Sequence, residues 1–400
     1  MIKIDEATPV AGFKFAAAAS GIRKSGRLDL ALIFSEVPAR CAGVFTTNKI
    51  KAAPLQVTEP RIAAGLCQAV LVNSGNANAC TGAAGLRDAQ RCCQLLAAAL
   101  QLPEEYLAVS STGVIGAPLP MACFEEYIPQ LAKELAADQA DLVARAMMTT
   151  DSFAKVASCR GTVADTPYTL LGVAKGAGMI HPNMATMLGF VLTDANVEPA
   201  LLDEALRRAV ASSFNIITVD GDTSTNDMVL LLANGVAGNR EICRGTAEGD
   251  RFVEELTGVL LELAKMIVRD GEGATKLVHI RITGAVDGDD AKKAALSVAT
   301  SSLVKTAFFG EDANGGASSP RSAIRELEVD PERVAIRFDD VPVVRQGIGT
   351  GKELEAQATE VLKQAEFTVT VDLALGEGCA DYYTSDLTYD YVKINADYRT

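Results

Sequence analysis

Lys175–Phe190 reads KGAGMIHPNMATMLGF. Gly176 and Gly178 follow the lysine, Pro182-Asn183 stiffens the chain, and a small residue, Ala185, precedes Thr186. Behind it runs MLGFVLT, Met187–Thr193, an apolar segment of strand length, and ahead of it Tyr168–Ala174 reads as a second strand. A hydroxyl at the mouth of a buried strand, entered through a Gly- and Pro-punctuated turn, is a place for a nucleophile. Threonine attacks poorly unless a base sits beside it. One solution is to cut the chain just before it, so that its own α-amino group becomes that base. The plainer reading is that Thr186 is a β-branched residue opening a strand. The residues alone leave both open.

The whole motif resembles the cleavage-site signature of the ornithine acetyltransferase family. That signature is lysine-glycine-x-glycine-methionine, a short gap, then proline-asparagine-methionine-alanine-threonine-methionine-leucine, matched here at Lys175–Met179 and Pro182–Leu188. The resemblance extends along nearly the whole chain. It implies self-cleavage between Ala185 and Thr186, with Thr186 as the nucleophile. It implies transfer of acetyl from N2-acetyl-L-ornithine to L-glutamate in arginine biosynthesis, through an ester on Thr186. For the fold it implies α/β (α+β) architecture: a layered α/β/β/α sandwich of the self-cleaving N-terminal-nucleophile type, with a smaller C-terminal α+β domain. The expected division is 1–185 as one fragment, 186–290 as the core of the other, and 291–400 as the smaller domain. An α2β2 assembly of the fragments and no cofactor are implied as well. Whether acetyl-CoA is also a donor is left open, since no nucleotide-binding signature would reveal it. The alternatives are a related N-terminal-nucleophile amidohydrolase or aminopeptidase, and a binding protein that kept the fold without the chemistry.

Two histidines constrain the chemistry, because a histidine-driven triad must use one of them. His279 lies in the alternating strand KLVHIRITG, and His181 stands five residues before Thr186. An enzyme whose base is an amine tolerates this scarcity. The net charge of −14 disfavours nucleic acid and anionic membrane as partners. Nine scattered cysteines without CxxC spacing suit a reduced, cytoplasmic protein with no zinc site. Met1–Pro9 lacks the basic start and apolar core of a signal peptide, and no uncharged apolar run reaches membrane-spanning length.

Upstream of the motif, Asp29–Thr47 reads as two β-type runs split at Pro38, and Ala69–Asn73 as a short strand. The loop SGNANACTG, Ser74–Gly82, is either a cluster of Asx-bonded turns or a substrate-lining loop. Arg87–Gln101 has helical spacing, as do Met121–Leu135, interrupted at Pro129, and Asp138–Met148, with Asp138 as N-cap. Between them, AVSSTGVIG (Ala108–Gly116) is a short strand ending in a tight turn that can aim donors at a developing oxyanion. The resemblance assigns that hole to Thr112 and Gly113. It also places Thr150 and Lys175 at the substrate.

Downstream, Pro199 opens a helix to about Ser213. Val219–Asp227 has a superficial likeness to a calcium loop but lacks its closing glutamate and flanking helix pair, so no metal is expected. Phe252–Arg269 is an amphipathic helix stopped by Asp270-Gly271. Val286–Asp290 reads as a linker or turn, Lys292–Leu303 and Lys352–Ala365 as helices, and Val334–Phe338, Val341–Val344 and Phe367–Leu375 as strands. The resemblance places Glu272, Asn395 and Thr400 at the substrate. It breaks at EDANGGASSPRSA, Glu311–Ala323, where Gly315 and Ala317 replace a tryptophan and an arginine of the family.

Overall fold

The computed structural model describes residues 4, 8–23, 26–181, 187–323 and 329–396. The chain forms two units, Met1–Asn215 with Asp222–Ile267, and Ile216–Gly221 with Val268–Thr400. Each has its own sheet, so the mixed α/β class expected from the sequence is borne out.

The strands of the first unit are β1 (Phe13–Ala18), β2 (Leu30–Phe45), β3 (Leu66–Asn73), β4 (Leu107–Ser111), β5 (Lys155–Val163), β6 (Thr166–Lys175) and β7 (Leu188–Thr193). The two-residue β8 (Ile217–Thr218) belongs to the second unit, and β9 (Met228–Ala233) completes the first. Among the described residues they make an eight-stranded sheet in the order β4-β3-β2-β9-β7-β6-β5, with β1 also on β2. Both faces are covered, which is why LALIF and AVLV read as continuous apolar runs. Ala31, Ile33, Val70 and Val72 face one core with the helix Ala140–Met147. Their neighbours Leu30, Leu32, Ala69 and Leu71 face another. That second core is filled by two more helices, Gly82–Leu100 and Met121–Lys133.

Pro38 does not separate two strands. It lies in an exposed three-residue run, Glu36–Pro38, inside one sixteen-residue strand. The register with β3 shifts between Phe34 and Ala39, and β9 pairs only with the second half, Arg40–Phe45. A bulge of this kind bends a strand and turns a sheet corner, and proline is tolerated there because no ladder N–H is needed.

Three other expectations change. The Met121–Lys133 helix runs through Pro129, with Ile128 and Leu131 fully buried on either side to offset the lost hydrogen bond. The residue before the helix Ala140–Met147 is Gln139, not Asp138, and no side chain caps it. Strand β5, which the sequence reading passed over, pairs along its whole length with β6.

In the second unit β10 (Leu277–Ala285), β11 (Ala335–Phe338), β12 (Val341–Arg345), β13 (Ile348–Gly349), β14 (Glu366–Asp372) and β15 (Gly378–Ser385) join β8 in the order β13-β12-β11-β14-β10-β15-β8. The turn read over 286–290 contains a helix cap. Asp287 Oδ1 accepts from Asp289 N and Asp290 N, each at 2.9 Å, and opens the helix Gly288–Thr300. The helix read to Leu303 stops at Ser301, whose hydroxyl caps the next one, Ser302–Phe309. The atypical stretch after Gly310 is itself a helix, Ala313–Ala323, opened by Asp312 accepting from Asn314 N and Gly315 N at 3.0 Å.

Candidate active site

Strand register decides what stands near the motif. Lys175, the last residue of β6, pairs with Leu188, the first of β7, and Leu188 pairs with Met228, the first of β9. The open ends of three adjacent strands therefore meet in one row, and the motif is the connection between two of them.

Lys175 is buried, and its Nζ donates to Thr149 Oγ1 at 2.9 Å and Thr112 Oγ1 at 3.2 Å. A buried ammonium needs compensation. Asp151, 4% exposed, provides the nearby negative charge. Burial alone would raise the Asp151 pKa, but the Lys175 and Lys155 charges outweigh it and hold the carboxyl below its ordinary range. The same carboxylate ties the backbone together. Oδ1 accepts from Lys155 Nζ (2.8 Å) and Gly176 N (2.7 Å), and Oδ2 from Thr149 N (2.9 Å). Thr149 rather than Thr150 thus meets Lys175, and the Thr150 side chain makes no hydrogen bond among the described residues.

The turn after β4 brings Thr112 to that lysine. Flat, β4 and β6 would lie five strand spacings apart, about 24 Å. A 3.2 Å bond between their ends requires the sheet to curl, and the Pro38 corner lies between them in strand order. The Thr112 backbone N–H is committed to Asn73 O at 3.0 Å, so its hydroxyl is the group it can present. Gly113 has φ +130°, and a Cβ there would lie 2.4 Å from Gly75 C and 2.6 Å from Asn76 N, so only glycine fits. Its N–H has no acceptor among the described residues. Together the pair offers one hydroxyl and one amide donor.

The loop Ser74–Gly82 shows its Asx bonding. Asn73 Nδ2 donates to Asn76 O (2.9 Å), Ser111 Oγ donates to Asn73 Oδ1 (2.6 Å), and Asn76 Nδ2 donates to Pro118 O (2.9 Å). Asn226, next to β9, donates through Nδ2 to Ala77 O (2.6 Å) and Ser111 O (2.8 Å). These bonds prop the Thr112–Gly113 turn from behind.

Asp227 follows Asn226 and is fully buried. Its Oδ1 accepts from Met187 N at 3.0 Å, and its Oδ2 has no hydrogen-bond partner among the described residues. Burial drives its pKa well above the ordinary carboxylate range, against the opposing pull of Met187 N–H, the Ser224 hydroxyl, the Lys175 charge and the Thr46 hydroxyl. The residues alone gave one signal for Asn226 and Asp227, polar residues set directly against the apolar run MVLLLA. Among the described residues no group of His, Cys, Asp and Glu could hold a metal ion.

Neither histidine is hydrogen-bonded to this cluster among the described residues. His279 Nε2 lies 2.7 Å from Asp381 Oδ1, and its ring stacks on Tyr383 at 4.6 Å. His181 is half-buried, its Nδ1 lacks a partner among the described residues, and burial lowers its pKa.

In the second unit Asn395 Nδ2 donates to Glu272 Oε2 at 2.8 Å, so two sequence candidates meet there. Glu272 is buried in a turn that needs glycine next. Gly273 has φ +70°, and a Cβ there would lie 2.7 Å from Tyr391 N. Asp386 fixes the far side of the turn, accepting at Oδ1 from Thr275 N (2.8 Å) and Lys276 N (3.1 Å). Ala185, Thr186 and Thr400 lie outside the described residues.

The model of the ArgJ family matches residues 14–400. An arginine biosynthesis bifunctional protein ArgJ from Syntrophotalea carbinolica is 68% identical over 98% of this chain and 99% of its own length. One from Geobacter sulfurreducens is 54% identical over 98% and 100%. A crystal structure of ornithine acetyltransferase complexed with ornithine, from Mycobacterium tuberculosis, is 39% identical over 46% of this chain and 98% of that one, with a TM-score of 0.43. With a family match over almost every residue and relatives this similar end to end, the chain belongs to the ArgJ family.

Proposed function

We propose that the chain cuts itself between Ala185 and Thr186 and then moves acetyl groups from N2-acetyl-L-ornithine to L-glutamate. The observation that carries this reading is the Lys175–Thr112–Thr149 cluster, with Lys175 and Thr112 buried, at the end of β6, one strand from the start of β7. In this reading the Thr186 hydroxyl attacks the acetyl carbonyl, and its free α-amine takes the proton. An α-amine has an ordinary pKa of about 7.7–8.0, well placed for proton transfer near neutral pH. The Thr112 hydroxyl and the Gly113 N–H receive the oxyanion, and Lys175 biases that hydroxyl to donate toward it by filling its acceptor side. Ornithine leaves, an acetyl ester stays on Thr186, and glutamate takes the acetyl group in a second, ping-pong half-reaction. Water must be kept from the ester between the halves.

Thr150, Glu272, Asn395 and Thr400 are assigned to substrate contact, with Glu272 suited to an ornithine ammonium. The enzyme would work in the cytoplasm as an α2β2 assembly of its two fragments, without a cofactor. Denaturing mass spectrometry tests the first step. The wild type should give Met1–Ala185 and Thr186–Thr400, and Thr186→Ala one intact chain of 42.0 kDa without transferase activity. Acetylglutamate formation that depends on added glutamate separates transfer from hydrolysis, in which acetate would appear without it. Acetyl-CoA in place of N-acetylornithine reads out a second donor.

A further inference from the structure

The amine that serves as base in transfer does not exist until the chain is cut, so self-cutting needs another group to move protons. We propose that Asp227 is that group: its carboxyl protonates the departing Thr186 nitrogen and accepts the Thr186 hydroxyl proton. The inference rests on the self-cutting reading above.

Three observations carry it. Parallel pairing of β7 and β9 begins at Leu188 and Met228, so the residues just before them, Met187 and Asp227, stand side by side. Asp227 Oδ1 accepts Met187 N–H, which belongs to the peptide joining Met187 to Thr186 itself. Oδ2 is buried and, among the described residues, no donor or acceptor meets it in hydrogen-bond geometry, an expensive arrangement that a purely structural aspartate would not need. With Oδ1 receiving an N–H, the carboxyl proton belongs on Oδ2. The groups facing the carboxyl are the hydroxyls of Thr46 and Ser224 and, as the charged one, Lys175. Burial favours the neutral acid against all of them. His181, the competing acid–base group, has no hydrogen bond to Met187, and burial lowers its pKa.

The step balances. The bond from Thr186 Oγ to the Ala185 carbonyl carbon forms as the bond from that carbon to the Thr186 nitrogen breaks. The Oδ2 proton passes to the nitrogen, and the carboxylate left behind takes the hydroxyl proton. Asp227 ends neutral, and the chain holds an ester and a free amine. Water then splits the ester, leaving a carboxyl on Ala185 and the hydroxyl on Thr186.

Full-length wild type, Asp227→Asn and His181→Gln are followed by intact mass from the moment of synthesis, with circular dichroism to confirm the fold. Asp227→Asn should fold and cut at least ~100-fold more slowly than wild type, and hydroxylamine, which cleaves esters, should not restore the rate. His181→Gln should cut normally. In the wild type, independent of any variant, the cutting rate should stay level or fall as pH rises from 6 to 9. Any of three results overturns the assignment: wild-type cutting in Asp227→Asn, rescue of that variant by hydroxylamine, or a wild-type rate that climbs about tenfold per pH unit. A wild-type chain that never cuts overturns the self-cutting reading instead, and is told apart because no variant is involved.

Discussion

Gly113 shows how little freedom a single residue in the candidate site has. Its φ is +130°, and the space a side chain would take is filled by the backbone of Gly75 and Asn76. Gly113→Ala therefore has to move one of two turns. Strain and overpacking together should cost roughly 2–5 kcal/mol. We expect a lower melting temperature and, because the amide donor is displaced, acetyl transfer reduced by about 100-fold or more even where the variant remains folded. A melt and a transfer assay on the same preparation check both; a variant with normal activity would show that the Gly113 N–H is not used. The sequence raised Thr112, Gly113 and Lys175 as candidates, but it could not say that Thr112 presents its hydroxyl. That follows from its N–H being spent on Asn73 O, a partner 39 residues away in the chain.

At the scale of elements, Pro38 was legible as a break and not as a corner. A proline in an apolar run signals only that a ladder hydrogen bond is missing. That the chain carries on as the same strand depends on β3 pairing before the bulge and β9 after it. The helix Ser302–Phe309 carries a second element-level surprise, Lys305. It is buried, and its Nζ donates to Thr384 Oγ1 at 3.0 Å and to the Ser385 carbonyl, fastening the helix to the end of β15. Burial pushes its pKa down from 10.5 to about 7, with the Asp386 and Asp220 charges opposing. Between those two values the unfolded chain holds a proton that the fold has released, so stability rises with pH across that window. Below about 7 both states are protonated, and the cost of burying the charge is fully present. Melting temperatures measured from pH 7 to 9 should therefore climb less steeply, after matching buffers and salt, in Lys305→Met than in wild type. Equal slopes would show that Lys305 does not titrate in that range.

Taken as a whole molecule, the first unit is threaded so that a cut before Thr186 cannot release either piece. In the order β4-β3-β2-β9-β7-β6-β5, strands β9 and β7 come from the C-terminal side of the cut, flanked by β2 and β6 from the N-terminal side. Twelve register pairs join the pieces across those two seams, six between β2 and β9 and six between β6 and β7. Cut protein should therefore elute in gel filtration as one species, separate only in denaturant, and lose both fragments' structure in a single transition. Fragments that part under native conditions would contradict the strand order. No described helix is long and apolar enough to cross a membrane.

The residues by themselves determined the family and named candidates for its chemistry. KGAGMIHPNMATMLGF is specific enough to name the strand junction, and period-two and helical patterning located most elements, because those signals are local. The family resemblance also picked out Glu272 and Asn395 without revealing that the two side chains bond to each other. Tertiary structure alone decided which distant polar groups meet. Thr149 rather than Thr150 on Lys175, Asp151 tying three segments, Asn226 behind the turn and Asp227 beside Met187 all depend on strand register and sheet curl. Contacts between residues tens to more than a hundred positions apart leave no periodic trace in a sequence, since what fixes them is the pairing of strands and not the order of side chains along one.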